Sequence, residues 1–212
     1  MTAHDVLESA LRDAAAALPT GPAPALDVEA AEAASLIDVA YARHDTPVGS
    51  LVLAATPRGL VRVAYTDDEA GVEATLAALS RDLSPRVLDA PRRLDAARRE
   101  LDEYFAGRRD RFELALDWRL TRGFARRILR STARIPYGSV SSYAQVATAA
   151  GSPRGSRAAG NALGANPLPI VVPCHRVLHS GGGLGGYTGG LERKLILLGI
   201  ESAMPGGAPT RA

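Results

Sequence analysis

From Leu36 onward the chain sets short β-branched apolar runs between glycine- and proline-bearing breaks. Leu36–Arg43, Ser50–Ala55 and Leu60–Tyr65 are such runs, separated by Asp45-Thr-Pro-Val-Gly49 and Pro57-Arg-Gly59. They predict an antiparallel meander of three strands. The apolar period then lengthens. Asp68–Leu79 and Pro91–Phe105 have helical spacing, the second opened by a proline and stopped by Gly107. Arg111–Leu116 reads as a further strand.

The second half is mostly helical. Thr121–Thr132 predicts a helix with Phe124, Ile128 and Leu129 on one face and Arg126, Arg127 and Arg130 elsewhere; Ile135-Pro-Tyr-Gly138 ends it in a turn. Ser142-Tyr-Ala-Gln145 is a capping box opening a helix to about Ala150. Gly151 breaks it, and Ser152-Pro153 caps and starts a second helix from Arg154 to about Ala165. The pair reads as a helix-turn-helix, with a plain αα-hairpin nearly as good a match on length and caps alone. The second helix is nearly bare: Ala158, Ala159, Gly160, Ala162 and Gly164 follow Arg157. Small residues there let another helix pack closely or let the backbone enter a narrow groove. Ile170-Val171-Val172 reads as a buried strand, and Leu191–Leu198 as an amphipathic segment.

The pattern therefore predicts an α+β protein. A small mixed sheet/helix domain covers 36–117, and a mostly helical domain with a helix-turn-helix covers 118–201. Residues 1–35 form an Ala-rich acidic extension in which Val6–Leu18 has helical spacing, either docked or frayed; residues 202–212 are expected to be a flexible tail.

At 212 residues and 46% hydrophobic content the chain is large enough for a proper core. No apolar run is long enough for a bilayer, and the start lacks a secretory pattern. The single cysteine excludes an internal disulfide and a Cys-rich zinc site, and a free thiol suits a reducing, cytoplasmic setting. No metal or cofactor is expected. Charge is segregated. Residues 1–117 carry 13 Arg against 21 Asp or Glu, a net of −8, whereas 118–212 carry 11 Arg and one Lys against two Glu, a net of +10. Coding bias explains the preference for Arg but not the separation of sign, which points to nucleic acid on the C-terminal half.

The candidate chemistry lies in Asn166-Pro-Leu-Pro-Ile-Val-Val-Pro-Cys174-His175-Arg176-Val177. A lone cysteine is commonly a small buried hydrophobe. Here three prolines stiffen the approach and a His-Arg pair follows, which favours a nucleophile activated as the thiolate. Direct contact between Cys174 and His175 requires a turn at that bond or a bridging water. An orienting carboxylate must come from Glu192 or Glu201, the only acids after residue 117. The glycine-dense Ser180–Gly190 stretch holds Tyr187 and Thr188, which favours a loop folded over a ligand. The first half contains no comparable constellation.

Pro173-Cys-His-Arg-Val177, the glycine-rich Tyr187 loop and Gly-Gly-Leu-Glu-Arg-Lys194 with Glu201 behind resemble the O6-alkylguanine-DNA alkyltransferases. The resemblance runs from about Phe124 to Glu201 and more loosely back to Leu36. It departs at Phe124-Ala125 and Ile128-Leu129, where relatives often carry Phe-Gln and Val-Trp pairs.

The resemblance implies a DNA-repair protein that moves an alkyl group from O6-alkylguanine in double-stranded DNA irreversibly to its own Cys174. O4-alkylthymine is left open as a second substrate. It implies a monomer without cofactor or membrane contact. His175 would be a base acting through water, Glu201 its orienter, Tyr143 a donor to the base and Asn166 the hinge residue. Arg157 would be a finger into the duplex, with Tyr143, Ala158, Gly160 and Arg154 at the DNA. Tyr187, Thr188, Val177 and Lys194 would form the pocket, Lys194 ordering it. Two other readings are a non-reactive lesion-recognition protein, against which Cys174 argues, and a thiol hydrolase using Cys174, His175 and Glu201.

Overall fold

A computed structural model describes residues 36–202, together with Ala30 and residues 210–211; the Val6–Leu18 segment lies outside the described residues. The three expected strands are present as β1 (Val39–Thr46), β2 (Gly49–Thr56) and β3 (Gly59–Tyr65), paired antiparallel in sequence. At the second turn Gly59 has φ +126°, and a Cβ there would collide with the Ala115 carbonyl, so only glycine closes the hairpin against the following loop.

After α1 (Glu69–Asp82) comes a short strand that the pattern did not foretell, β4 (Val87–Asp89). It lies parallel to β1, giving sheet order β3-β2-β1-β4. Three residues, two half-buried and one exposed, carry too little periodicity to be read as a strand. Pro91–Phe105 divides into a 3₁₀ turn, Pro91–Leu94, and α2 (Asp95–Phe105). Arg111–Leu116 is not a strand; it meets the sheet only at an isolated Leu60–Leu116 bridge.

The C-terminal half contains α3 (Gly123–Thr132), β5 (Ser139–Ser142), α4 (Tyr143–Ala149), α5 (Ser156–Gly164), β6 (Val177–Leu178), α6 (Leu191–Ser202) and β7 (Thr210–Arg211). β5 pairs in parallel with β6 and with β7, and Ser202 is the last residue of α6. The capping box holds: Ser142 Oγ accepts from the Gln145 amide at 3.1 Å and Gln145 Oε1 from the Ser142 amide at 2.8 Å. α5 begins later than expected. Ser152 accepts the Gly155 amide through its carbonyl at 2.8 Å, closing a turn over 152–155, and the helix starts at Ser156. Arg154 therefore sits in the turn and not on the helix.

One apolar core joins the halves, since Leu51, Leu53, Leu101 and Tyr104 share a cluster with Ile128, Leu129, Leu168 and Leu197. Ile128 and Leu129, where the chain departs from its relatives' pattern, are among its most buried members. Among the described residues no helix is long and apolar enough to cross a membrane.

Candidate active site

The run before the cysteine is buried as expected but is not a strand. Residues 167–172 fold as successive turns, with Val171 N donating to Pro169 O at 2.9 Å and Val172 N to Leu168 O at 2.8 Å. Prolines at 167, 169 and 173 remove the donors a ladder would need. A continuous apolar run does not distinguish a buried strand from a buried turn. Ile170 is driven to φ +72°, rare for a β-branched residue and held by complete burial. Cys174–Arg176 is a single 3₁₀ turn, which supplies the bend required between the thiol and the imidazole.

Asn166 holds that turn from the α5 side. Its Nδ2 donates to Val172 O at 2.9 Å and to Cys174 Sγ at 3.2 Å, while its Oδ1 accepts the Leu168 amide at 3.0 Å. Cys174 itself is 5% exposed. Burial pushes its thiol up to about 11, and the Asn166 bond and the Lys194 charge offset only part of that. The expected resting thiolate is therefore corrected: the isolated protein holds a protonated thiol, because desolvation outweighs its polar neighbours.

Glu201, at the end of α6, is the carboxylate behind His175, and Glu192 is exposed on the same helix. His175 Nε2 lies 2.7 Å from Glu201 Oε1. Arg176 donates Nε to both carboxylate oxygens at 3.1 and 2.9 Å and Nη2 to Oε1 at 2.8 Å, and Tyr104 donates its hydroxyl at 2.8 Å. Burial alone would raise the Glu201 carboxyl; the hydrogen bonds from His175 and Arg176 outweigh it and hold it at about 2. Burial lowers His175, so the ring is neutral, and Glu201 only partly opposes this. With an ionised carboxylate accepting at Nε2, that nitrogen carries the proton. Nδ1 is then a buried lone pair with no hydrogen-bond partner among the described residues.

Cys174 forms part of the wall of a cavity of about 700 Å³, together with Tyr143, Arg157, Gly160, Tyr187 and Thr188. Arg157 and Ala158 are exposed on α5. Gly160 faces Tyr143, where an added Cβ would meet the ring at 3.7 Å. Burial raises the Tyr143 hydroxyl, a bond from the Gly186 amide partly offsetting it, so the phenol keeps its proton. Thr188 Oγ1 donates to Gly164 O at 3.1 Å, tying the loop to the end of α5.

Two expected pocket residues lie elsewhere. Val177 is fully buried and Lys194 is sealed behind the loop; neither forms part of the cavity wall. Lys194 Nζ donates to Val177 O at 2.7 Å, to Leu184 O, and to Gly186 O at 3.4 Å. It orders the loop from behind, and burial lowers its ammonium to about 8. Arg154, in its turn, does not border the cavity.

Four residues were missed. Arg176 stands inside the motif and could have been named as the partner of a buried acid. His179 borders the cavity with its ring 5.1 Å from that of Tyr143. Tyr104 and Tyr65 come from the half expected to supply no chemistry. Tyr65 meets the Tyr187 hydroxyl at 2.8 Å, and a tertiary contact of this kind leaves no local signal.

Residues 39–118 match the model for the 6-O-methylguanine DNA methyltransferase ribonuclease-like domain, and 123–203 that for its DNA binding domain. A methylated-DNA–protein-cysteine methyltransferase of Mycolicibacterium paratuberculosis is 38% identical over 163 residues, covering 77% of this chain and 92% of that one. The constitutive enzyme of the same name from Bacillus subtilis is 37% identical over 163 residues, covering 76% and 94%. The Mycobacterium tuberculosis OGT in complex with DNA superposes with a TM-score of 0.65 at 35% identity, covering 81% of this chain and 96% of that one.

Proposed function

The chain belongs to the 6-O-methylguanine DNA methyltransferase family, and from that premise we propose how its own residues carry out the transfer. It is a DNA-repair methyltransferase, a methylated-DNA–protein-cysteine methyltransferase that acts on DNA. The observation that carries the residue assignment is the thiol of Cys174 in a cavity wall, with His175 and Glu201 sealed behind it.

An alkyl group on guanine O6 lies inside the duplex, so the nucleotide is turned out into this cavity before the sulfur can reach it. Arg157, exposed on α5 at the cavity rim, fills the space left in the stack, and Ala158 and Gly160 let the helix backbone come close to the minor groove. Inside, the thiol proton passes through water to His175 Nδ1, the lone pair without a partner. Glu201 supports the imidazolium that results, as the third member of a triad does.

The thiolate attacks the alkyl carbon. An S–C bond forms as the C–O6 bond breaks, and the electron pair stays on guanine. Tyr143 gives its proton to the leaving base and recovers one from His175, so the thiol proton ends on guanine. Water in this site cannot cleave the thioether, and each molecule acts once. We extend the reading to a cytoplasmic monomer that acts on O6-alkylguanine, with O4-alkylthymine open as a second substrate and the DNA-binding part from residue 118. The basic charge gathered after residue 117 and the place of Arg157 in the cavity wall support the DNA-binding part of it.

Intact-mass spectrometry after incubation with a methylated duplex tests this. One methyl mass gained by the native protein and none by Cys174→Ser is the expected result. No gain in the native protein overturns it.

A further inference from the structure

We propose that Tyr65, on the edge strand of the N-terminal sheet, is a positioning residue that fixes Tyr187 as the cavity wall facing Cys174. The inference rests on the reading of Cys174 as alkyl acceptor and adds to it a residue from outside the catalytic half. The Ser180–Gly190 loop is rich in glycine, and such a chain has no rigidity of its own. Its aromatic wall must be held from elsewhere.

The described contacts show where. The Tyr65 and Tyr187 hydroxyls lie 2.8 Å apart and the rings meet edge-on at 6.1 Å between centroids. The Tyr187 ring in turn stands edge-on to His175 at 6.3 Å. Tyr65 is itself clamped. The Arg193 guanidinium lies 4.7 Å over its ring. That arginine is anchored by Val48 O at 2.7 Å, Gly189 O at 3.2 Å and the Asp67 carboxylate. Gly189 leaves the ring its space, because a Cβ there would come within 2.5 Å of it. β3 also grips the other side of the site, where Val63 N donates to Pro167 O at 2.8 Å in the hinge before Cys174. One strand thus aligns the segment that carries the sulfur with the wall opposite it.

The hydroxyl pair has a chemical consequence. Two hydroxyls sharing one hydrogen bond leave one proton unused. When Tyr65 donates to Tyr187, the second proton belongs to Tyr187, which borders the cavity, and the first bond strengthens it as a donor. Tyr65 touches neither the sulfur nor the bound base, so its effect is exerted through Tyr187.

Tyr65→Phe, Tyr187→Phe and the double variant provide the test, by single-turnover transfer from a methylated duplex. Tyr65→Phe is expected to slow the limiting rate about tenfold, the rate equivalent of one ordinary hydrogen bond. The duplex concentration at half-saturation stays unchanged. The double variant is no slower than the slower single one, because both remove the same bond. A wild-type rate in Tyr65→Phe, or losses that multiply, overturns the proposal.

Tyr65→Ala adds a readout that needs no DNA. Removing the ring frees the wall, and Cys174 in the isolated protein should react several-fold faster with iodoacetamide. An unchanged rate overturns the proposal. If native protein takes up no methyl group while Tyr65→Ala still exposes Cys174, the assigned reaction fails and the positioning role stands. If native protein is methylated and Tyr65→Phe matches it, the positioning role fails alone.

Discussion

His175 and Glu201 meet in the closed interior, imidazole Nε2 2.7 Å from carboxylate Oε1, with both side chains sealed from solvent. The same carboxylate neutralises Arg176, which is buried and whose remaining Nη1 donates to Ile135 O at 2.6 Å. One acid therefore fixes the tautomer of the base and balances a buried cation. Glu201→Gln removes the charge and leaves Arg176 uncompensated. The expected loss is about 3–5 kcal/mol of stability by denaturant unfolding, with methyl transfer abolished in the fraction that remains folded. A variant of native stability would show that the pair is not closed as described.

The pH dependence of stability follows from two of these groups. Glu201 is held at about 2, below its ordinary 4.5, so its stabilisation is complete above pH 4.5 and is lost as pH falls towards 2. Lys194 works the other way. Burial lowers it to about 8 from 10.5, so the cost of burying its charge is fully present below pH 8 and is relieved as pH rises towards 10.5. Urea midpoints measured from pH 2 to 10 should fall along the acid limb in native protein and lose that limb in Glu201→Gln.

The thiol gives a separate profile. In protein without DNA, alkylation of Cys174 by iodoacetamide should climb with pH through the neutral range, with its midpoint near 11 and its plateau above that. Asn166→Ala removes the donor on the sulfur and leaves the Leu168 amide unpaired, while the Val172 carbonyl keeps the Cys174 amide at 2.8 Å. It should move the midpoint still higher and cost about 1–3 kcal/mol for the buried amide left without a partner. A midpoint near pH 7 would mean that the sulfur is ionised in the resting protein.

What could be read from the sequence divides along physical lines. β1 to β3 and the capped start of α4 were legible because alternation and Ser142-to-Gln145 spacing are local signals. Cys174, His175 and Glu201 were legible because one cysteine and two late acids leave few combinations. The turns at 167–172 were not, since burial in a turn and in a strand produce the same apolar run. Nor was β4, which exists only through its pairing with β1. Tyr65 and Tyr104 reach the site across 122 and 97 residues of chain, distances over which no periodicity carries information.

Gly185 tests the geometry of the donor tyrosine. Its φ of +66° suits glycine, and an added Cβ would fall on the Tyr143 hydroxyl. Gly185→Ala should displace Tyr143 from the cavity and cost about 1 kcal/mol for the left-handed backbone alone. Transfer should drop sharply while affinity for unmodified duplex, which the proposed reading assigns to α5, is kept. Equal losses in both would place Tyr143 in DNA binding and not in proton donation.

Arg157 separates base extrusion from chemistry. Its side chain is exposed and makes no hydrogen bond or ion pair among the described residues, so Arg157→Ala should change stability by no more than about 0.5 kcal/mol. If the guanidinium fills the gap in the stack, its loss returns to the reaction part of the few kcal/mol that unstacking costs. Transfer from duplex DNA should then fall by about a hundredfold. A free O6-alkylguanine base needs no extrusion, so Arg157→Ala should react with it at the native rate. A parallel fall with both substrates would assign Arg157 to the reacting centre; no fall with either would remove it from the mechanism.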